Sequence, residues 1–250
     1  MVLVHGWPLS SDSWEYQFDA LASAGLRVIA YDRRGFGKSD QPDQGYDYDT
    51  LADDLRAVLD GLDVRQATLV GFSMGGGEVV RYVTRGGERA SKLALVSSVV
   101  PLVQQTQDNP HGVPKEQLQQ FQQQIDADRP DFLQTFGKQF YGQGLIKHPV
   151  SQGILDWTQF LALPASHRAT RECVTAFGTT DFRAELPSVK LPTLVIHGDA
   201  DKTVPFEATG KVVPQLLPHA QLKVYEGAPH GLFYTHKHEL NRDLIAFAKG

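Results

Sequence analysis

Apolar residues along this chain gather in short continuous runs, and longer stretches with one polar face separate them. Residues 2–4, 26–31, 67–70, 93–96, 193–196 and 221–225 read as strands. Between them lie segments with helical spacing. One is capped at Ser13 and stopped by Gly25. A second starts at Asp49 or Thr50 and runs through Leu62, and a third reaches about Arg85. Two more are predicted over residues 206–217 and 239–248. Strands that are apolar throughout belong to a sheet covered on both faces, and alternation with helices makes that sheet parallel. The predicted fold class is therefore α/β, a mostly parallel sheet with helices on both faces.

The alternation breaks after Val100-Pro101. From there to Leu186 the pattern is helical and irregular, rich in Gln and Phe, and the Gln-rich residues 116–124 read as the polar face of a helix. We read residues 1–100 and 187–250 as the core and residues 101–186 as an inserted helical cap. Such a cap would sit over the C-terminal ends of the strands, where open α/β sheets place their sites.

At 250 residues the chain suits one domain with an inserted subdomain. A formal net charge of -5 argues against nucleic acid as the main partner. With one cysteine, Cys173, no intrachain disulfide can form. The residues after Met1 form no basic region followed by a long apolar run, so neither a signal peptide nor a membrane span is expected, and the expected compartment is a reducing cytoplasm. The oligomeric state is left open between monomer and homo-oligomer.

Gly71-Phe72-Ser73-Met74-Gly75 lies between an apolar run and a helix-compatible stretch. In the order strand, Gly-x-Ser-x-Gly, helix, this motif is a nucleophile elbow. The serine sits on a strained turn that pushes its hydroxyl out of the sheet, and strand and helix cross so closely that positions 71 and 75 must lack side chains. A bare glycine-rich turn with an incidental serine would lack both flanks.

A serine nucleophile needs a base and a group that orients the base. Of nine histidines, His230 is singled out by its place after the last strand, in Gly227-Ala228-Pro229-His230-Gly231. His5 belongs to the first turn, and His197 ends a strand ahead of the acidic loop. That loop, His197-Gly198-Asp199-Ala200-Asp201, offers two carboxylates. Asp201 lies further out and is the expected orienter, whereas Asp199 suits holding the turn. The order Ser, Asp, His is that of the α/β hydrolases. An oxyanion needs two N–H donors. Met74, directly after the serine, and Trp7, in His5-Gly6-Trp7-Pro8, are the expected backbone donors, and the Trp7 indole could also wall a pocket.

These motifs resemble those of the α/β hydrolase superfamily, and within it the cofactor-free bacterial arylesterases and non-haem chloroperoxidases (perhydrolases). The resemblance is carried by His5-Gly6-Trp7-Pro8, by residues 31–42 from Tyr31-Asp32-Arg33-Arg34-Gly35 to Gln41-Pro42, by residues 71–78, by Cys173-Val174-Thr175-Ala176-Phe177, by His197-Gly198-Asp199-Ala200-Asp201 and by Ala228-Pro229-His230-Gly231. It covers nearly the whole chain. It implies Ser73, Asp201 and His230 as a triad and Trp7 and Met74 as oxyanion donors. It also implies Phe121, Phe136, Phe140, Phe177 and Phe206 as pocket lining, although one or two of these five are expected to be cap core only.

No haem, metal or other cofactor is implied, and no metal-ligand spacing is present. The implied reaction is hydrolysis of small or aryl esters, with peracid formation when hydrogen peroxide replaces water. Pro8 after Trp7 resembles the pattern of the better perhydrolases. A lactonase or amidase would share the mechanism. Epoxide hydrolases and dehalogenases carry an aspartate at the elbow, which Ser73 argues against. A non-catalytic ligand receptor of the same fold is the alternative from another class.

In one respect the chain departs from the family pattern, which has an antiparallel hairpin ahead of what is here the first strand. The expectation is a shortened or alternatively started chain. Its strand at residues 26–31 would be an unprotected edge that lowers stability or drives self-association.

Overall fold

The computed structural model describes all 250 residues. Six strands, β1 (Val2–Val4), β2 (Ile29–Tyr31), β3 (Ala67–Phe72), β4 (Ala90–Val96), β5 (Thr193–Gly198) and β6 (Gln221–Tyr225), form one sheet in the order β2-β1-β3-β4-β5-β6. Every pairing is parallel. β1, β3 and β5 are buried at every position, which is why their sequences are apolar without alternation. Helices α1 (Glu15–Ser23) and α9 (Lys237–Lys249) pack on each other, as do α2 (Tyr48–Gly61) and α3 (Met74–Thr84). No helix is long and apolar enough to cross a membrane.

Strand order explains where a site can form. From β1 the chain goes outward to β2, then returns to pair β3 on the other side of β1. The loops after β1 and β3 therefore diverge from neighbouring strands and leave a crevice between them at the carboxyl edge. The turn at Trp7 follows β1, and Ser73 follows β3.

Between β4 and β5 the chain builds three helices, α4 (Lys115–Phe140), α5 (Gln152–Ala162) and α6 (His167–Thr179). α4 is two helices joined at Asp128, whose φ of -156° and ψ of 86° are extended. The Asp128 side chain accepts the Asp131 N–H at 3.0 Å and so caps the second half, in whose first turn Pro130 lies and needs no helical hydrogen bond.

Two predicted elements are shorter than expected. The helix expected over residues 206–217 is a single 3₁₀ turn, Phe206–Ala208, and a short α7, Val213–Leu216. A β-carbon at Gly210 would lie 2.6 Å from His197 Nδ1, so the chain must pass that ring as glycine, in irregular backbone. The strand expected over residues 26–31 forms only from Ile29, because β1 offers partners from Val2 onward. In the other direction β3 runs two residues further than predicted, through Gly71 and Phe72 to the serine. α8 (Leu232–Thr235) follows the His230 loop.

The elbow is closed by backbone contact. A β-carbon at Gly71 would lie 2.5 Å from the Gly75 carbonyl oxygen, and one at Gly75 would lie 2.5 Å from the Val4 carbonyl oxygen. These neighbours are main chain, so they cannot step aside. Gly71→Ala is expected to lower stability by about 3 kcal/mol or more, read as a fall in the urea midpoint at unchanged slope. A midpoint equal to that of the unsubstituted protein would show that the crossing has slack.

Candidate active site

Ser73 links β3 to α3 with φ 52° and ψ -120°, a conformation that few non-glycine residues adopt. Its N–H donates to Val96 O at 2.9 Å, and its carbonyl accepts the N–H groups of Gly76 and Val99. The strained turn is thus tied to the end of β4 and to the first turn of α3. Ser73 Oγ lies 3.0 Å from His230 Nε2, and His230 Nδ1 lies 2.7 Å from Asp201 Oδ2. All three residues are buried.

Asp201 is the more constrained of the two candidate acids. Its Oδ1 accepts the N–H groups of Thr203 at 2.9 Å and Val204 at 2.8 Å. Burial pushes its carboxyl up, but His230 beside it and the bonds from His197 and His230 outweigh burial and hold it well below the usual carboxylate range. Asp199 instead accepts the Gly227 N–H at 2.6 Å and ties the β5 and β6 loops together. The His230 ring is flanked by Phe72 and Phe140, with centroids 5.1 Å and 4.9 Å away. The Phe140 carbonyl accepts the Gly231 N–H at 2.9 Å, so the end of α4 holds the loop that carries the base.

The two expected amide donors follow β1 and β3, the strands that flank the crevice. Met74 is the first residue of α3, where N–H groups have no partner within the helix. Trp7 N–H reaches no backbone carbonyl, and its peptide is fixed from the other side. The Gly6 carbonyl, on the peptide that carries the Trp7 N–H, accepts from His5 Nδ1 at 2.9 Å and from the Leu9 N–H at 3.0 Å. In a trans peptide the N–H points opposite to the carbonyl, so these bonds aim the Trp7 N–H away from His5. The peptide from Trp7 to Pro8 is cis. The Trp7 indole donates to Thr170 O at 2.9 Å.

Sequence reasoning missed the brace behind this turn. His5 Nε2 accepts the Arg33 N–H at 3.0 Å, so the hydrogen sits on Nδ1. Arg33 Nη2 donates to His5 O at 2.8 Å, and its Nε meets Glu78 Oε2 at 2.7 Å. The Tyr31 hydroxyl donates to the other Glu78 oxygen. Arg33 and Glu78 are both fully buried. Burial pushes the Glu78 carboxyl up and the Arg33 guanidinium down, and the direct bond between them offsets part of that cost. Glu78 alone carries a sequence signal, as the one charged residue in the run Gly75-Gly76-Gly77-Glu78-Val79-Val80. Cys173 lies buried near Arg33, and burial pushes its thiol up to about 12, as expected of an inert thiol.

Ser73 opens into a narrow cavity walled by Trp7, Val99, Val103, Val113, Leu118, Phe121, Phe136, Phe177 and Val204. Its free volume is about 20 Å³. Its polar lining beside Ser73 is Gln117 and Thr203, and Thr203 Oγ is buried without a partner. Two of the five expected phenylalanines lie elsewhere. Phe140 is turned onto the His230 ring, and Phe206 lies against His197 at 5.6 Å. The reason for Phe206 is the irregular chain after Pro205, which carries it beneath the acidic loop. A wider groove of about 410 Å³ runs along α4 and shares Gln117, Phe121 and Phe136 with the cavity. No cluster of three or more His, Cys, Asp or Glu side chains is arranged to hold a metal ion.

Fold and site geometry define an α/β hydrolase, and comparison with known proteins agrees. The chain belongs to the α/β hydrolase fold family, whose model matches residues 1–237. More particularly, a non-heme chloroperoxidase of Streptomyces lividans is 43% identical over 251 residues, covering 100% of this chain and 91% of the relative. The bifunctional esterase/perhydrolase of Acinetobacter calcoaceticus is 40% identical over 248 residues, 98% of this chain and 90% of its own. The crystal structure of a bromoperoxidase from Bacillus anthracis superposes with a TM-score of 0.96 at 45% identity, covering 100% of this chain and 91% of that one.

The His5 brace makes a pH prediction. Burial, and then the Arg33 charge, lower the His5 imidazole to about 3 from an ordinary 6.5. Between those values the unfolded chain binds a proton that the folded one refuses, so this contribution falls as pH falls from 6.5 toward 3. At pH 5 the loss is about 2 kcal/mol relative to neutral pH. His5→Asn keeps a donor for Gly6 O but cannot titrate, so its urea stability is expected to fall less between neutral pH and pH 5. Parallel pH curves for the two proteins would refute the assignment.

Proposed function

We propose that the protein is a serine carboxylesterase of the arylesterase type, with perhydrolase activity, acting on small or aryl esters through an acyl-enzyme on Ser73. The observation that carries this reading is the unbroken hydrogen-bonded chain from Ser73 Oγ through His230 to Asp201, beside which the Trp7 and Met74 N–H groups are left without backbone partners. Relatives named as a non-heme chloroperoxidase and as an esterase/perhydrolase support it. In this reading residues 1–100 and 187–250 are the core and residues 101–186 the cap.

His230 Nε2 takes the Ser73 proton as Oγ attacks the ester carbonyl carbon. Asp201 holds the imidazole with Nδ1–H toward itself and stabilises the imidazolium that forms. The carbonyl oxygen becomes an oxyanion between the Trp7 and Met74 N–H groups. His230 then returns the proton to the leaving alcohol. Water attacks the acyl-enzyme by the same route in reverse and releases the acid. Hydrogen peroxide in its place releases a peracid, and the peracid then oxidises halide in solution.

The narrow cavity next to Ser73 suits a short or flat acyl group, and the groove along α4 is the approach, with Phe121 and Phe136 at the junction. No step in this sequence calls for a metal or other cofactor. Ser73→Ala is expected to lower turnover of p-nitrophenyl acetate by roughly 10⁴-fold or more and to remove peracid formation with it. Halide oxidation that survived the substitution would refute the shared acyl-enzyme, and wild-type protein without turnover would favour a ligand receptor.

A further inference from the structure

His197 ends β5 and is fully buried. Its Nε2 lies 3.0 Å from Val204 O and 3.3 Å from Asp201 Oδ2. Both are acceptors, so Nε2 carries the hydrogen. His230 Nδ1 approaches the same Asp201 oxygen from 2.7 Å. The ring cannot turn away, because Phe206 lies against it and Gly210 leaves no room for a side chain beside Nδ1. Nδ1 itself has no partner, although it is buried. A histidine held in this way is more than core filler, since an apolar side chain would leave no unpaired nitrogen there.

We propose that His197 is a positioning residue for the triad: its Nε2–H, bonded to Val204 O, also lies 3.3 Å from the oxygen of Asp201 that receives His230, and this second contact fixes that carboxylate and limits how strongly it holds the base. The proposal rests on the serine-hydrolase reading above. The physical argument is competition between donors. A carboxylate that already accepts the Thr203 and Val204 N–H groups on Oδ1, and has the His197 Nε2–H 3.3 Å from Oδ2, has less negative charge left to stabilise the imidazolium formed in the reaction. Removing His197 is therefore expected to strengthen the hold of Asp201 on the protonated base.

Few other charges face this cluster. Ser73 meets the far side of His230. Asp199 is bonded to the Gly227 N–H. Glu207 and Lys211 pair with each other at the surface, and Lys202 and Glu226 are exposed. Rings of Phe72 and Phe140 cover the remaining faces of His230. His197 is the group that can change how Asp201 presents itself.

The test compares His197→Leu, which removes the donor, with His197→Gln, whose amide nitrogen can reach the place of Nε2. In the pH profile of kcat/KM for p-nitrophenyl acetate, the acidic limb of His197→Leu is expected to move upward by about 0.5–1 pH unit. Its kcat should fall with KM unchanged, and His197→Gln should restore the limb. Turnover that still depends on Ser73, with the limb unmoved in His197→Leu, would overturn the proposal while leaving the esterase reading intact. A wild-type protein without Ser73-dependent turnover would instead sink the esterase reading. A measurement on the unsubstituted protein needs neither variant to fold nor any catalysis. In ¹⁵N-histidine spectra, His197 is expected to hold a slowly exchanging hydrogen on Nε2, and a hydrogen on Nδ1 would overturn the proposal.

Discussion

Everything at the carboxyl edge of the sheet is set by the backbone crossing at Ser73. α3 starts so close to β3 that Gly71 touches the Gly75 carbonyl, and Gly75 in turn rests on the Val4 carbonyl of β1. Three main-chain segments share one contact. β1 delivers Trp7, β3 delivers Ser73 and α3 delivers the Met74 amide, so the contact sets the spacing of these three groups before any side chain packs. The left-handed φ of Ser73 is the cost of that turn, roughly 1–3 kcal/mol. It persists because the bonds from Val96, Gly76 and Val99 leave the backbone no alternative.

Polar groups buried around this crossing form two separate braces. On the donor side, Glu78, Arg33 and His5 hold the Gly6 carbonyl and thereby the direction of the Trp7 N–H. On the base side, Thr203, Val204 and His197 hold Asp201, which holds His230. Each brace contains one buried carboxylate, and each satisfies it with nearby donors, as a low-dielectric interior requires. Their duties differ. The donor side must not titrate, and burial keeps His5 neutral. In the proposed reaction the base side accepts a proton in each cycle, and the depressed Asp201 carboxyl stays ionised beside it.

Much of this was legible in the residues, because the motifs are local. Gly71 and Gly75 flank Ser73 within five residues, and each apolar run names its own strand. The order of Ser73, Asp201 and His230 along the chain leaves few partners for the serine. What was not legible depends on contacts across the fold. His197 reads as the end of a strand, and only the fold of the loop after it brings Asp201 Oδ2 within 3.3 Å of its ring. Residues 206–217 have helical spacing, yet Gly210 must pass the His197 ring, and that tertiary demand overrides the local pattern. Phe206 then falls beneath the acidic loop, away from the pocket. Arg33 and Glu78 stand 45 residues apart, and no periodicity pairs them.

The helices between β4 and β5 are tied to the base as well as to the cavity. Phe136 and Phe140 lie one turn apart on the second half of α4. Phe136 walls the cavity at Ser73, whereas Phe140 packs its ring edge-on against His230 and accepts the Gly231 N–H through its carbonyl. Any displacement of this half-helix therefore moves the wall and the base together. The break at Asp128 separates it from the first half, which carries Gln117 and Phe121 on the opposite wall. The halves still meet at the cavity, because the Phe121 ring packs 5.6 Å from Phe132 and 6.3 Å from Phe136. The cavity wall is thus shared by both halves of one helix, whereas contact with His230 belongs to the second half alone, beyond the extended backbone of Asp128.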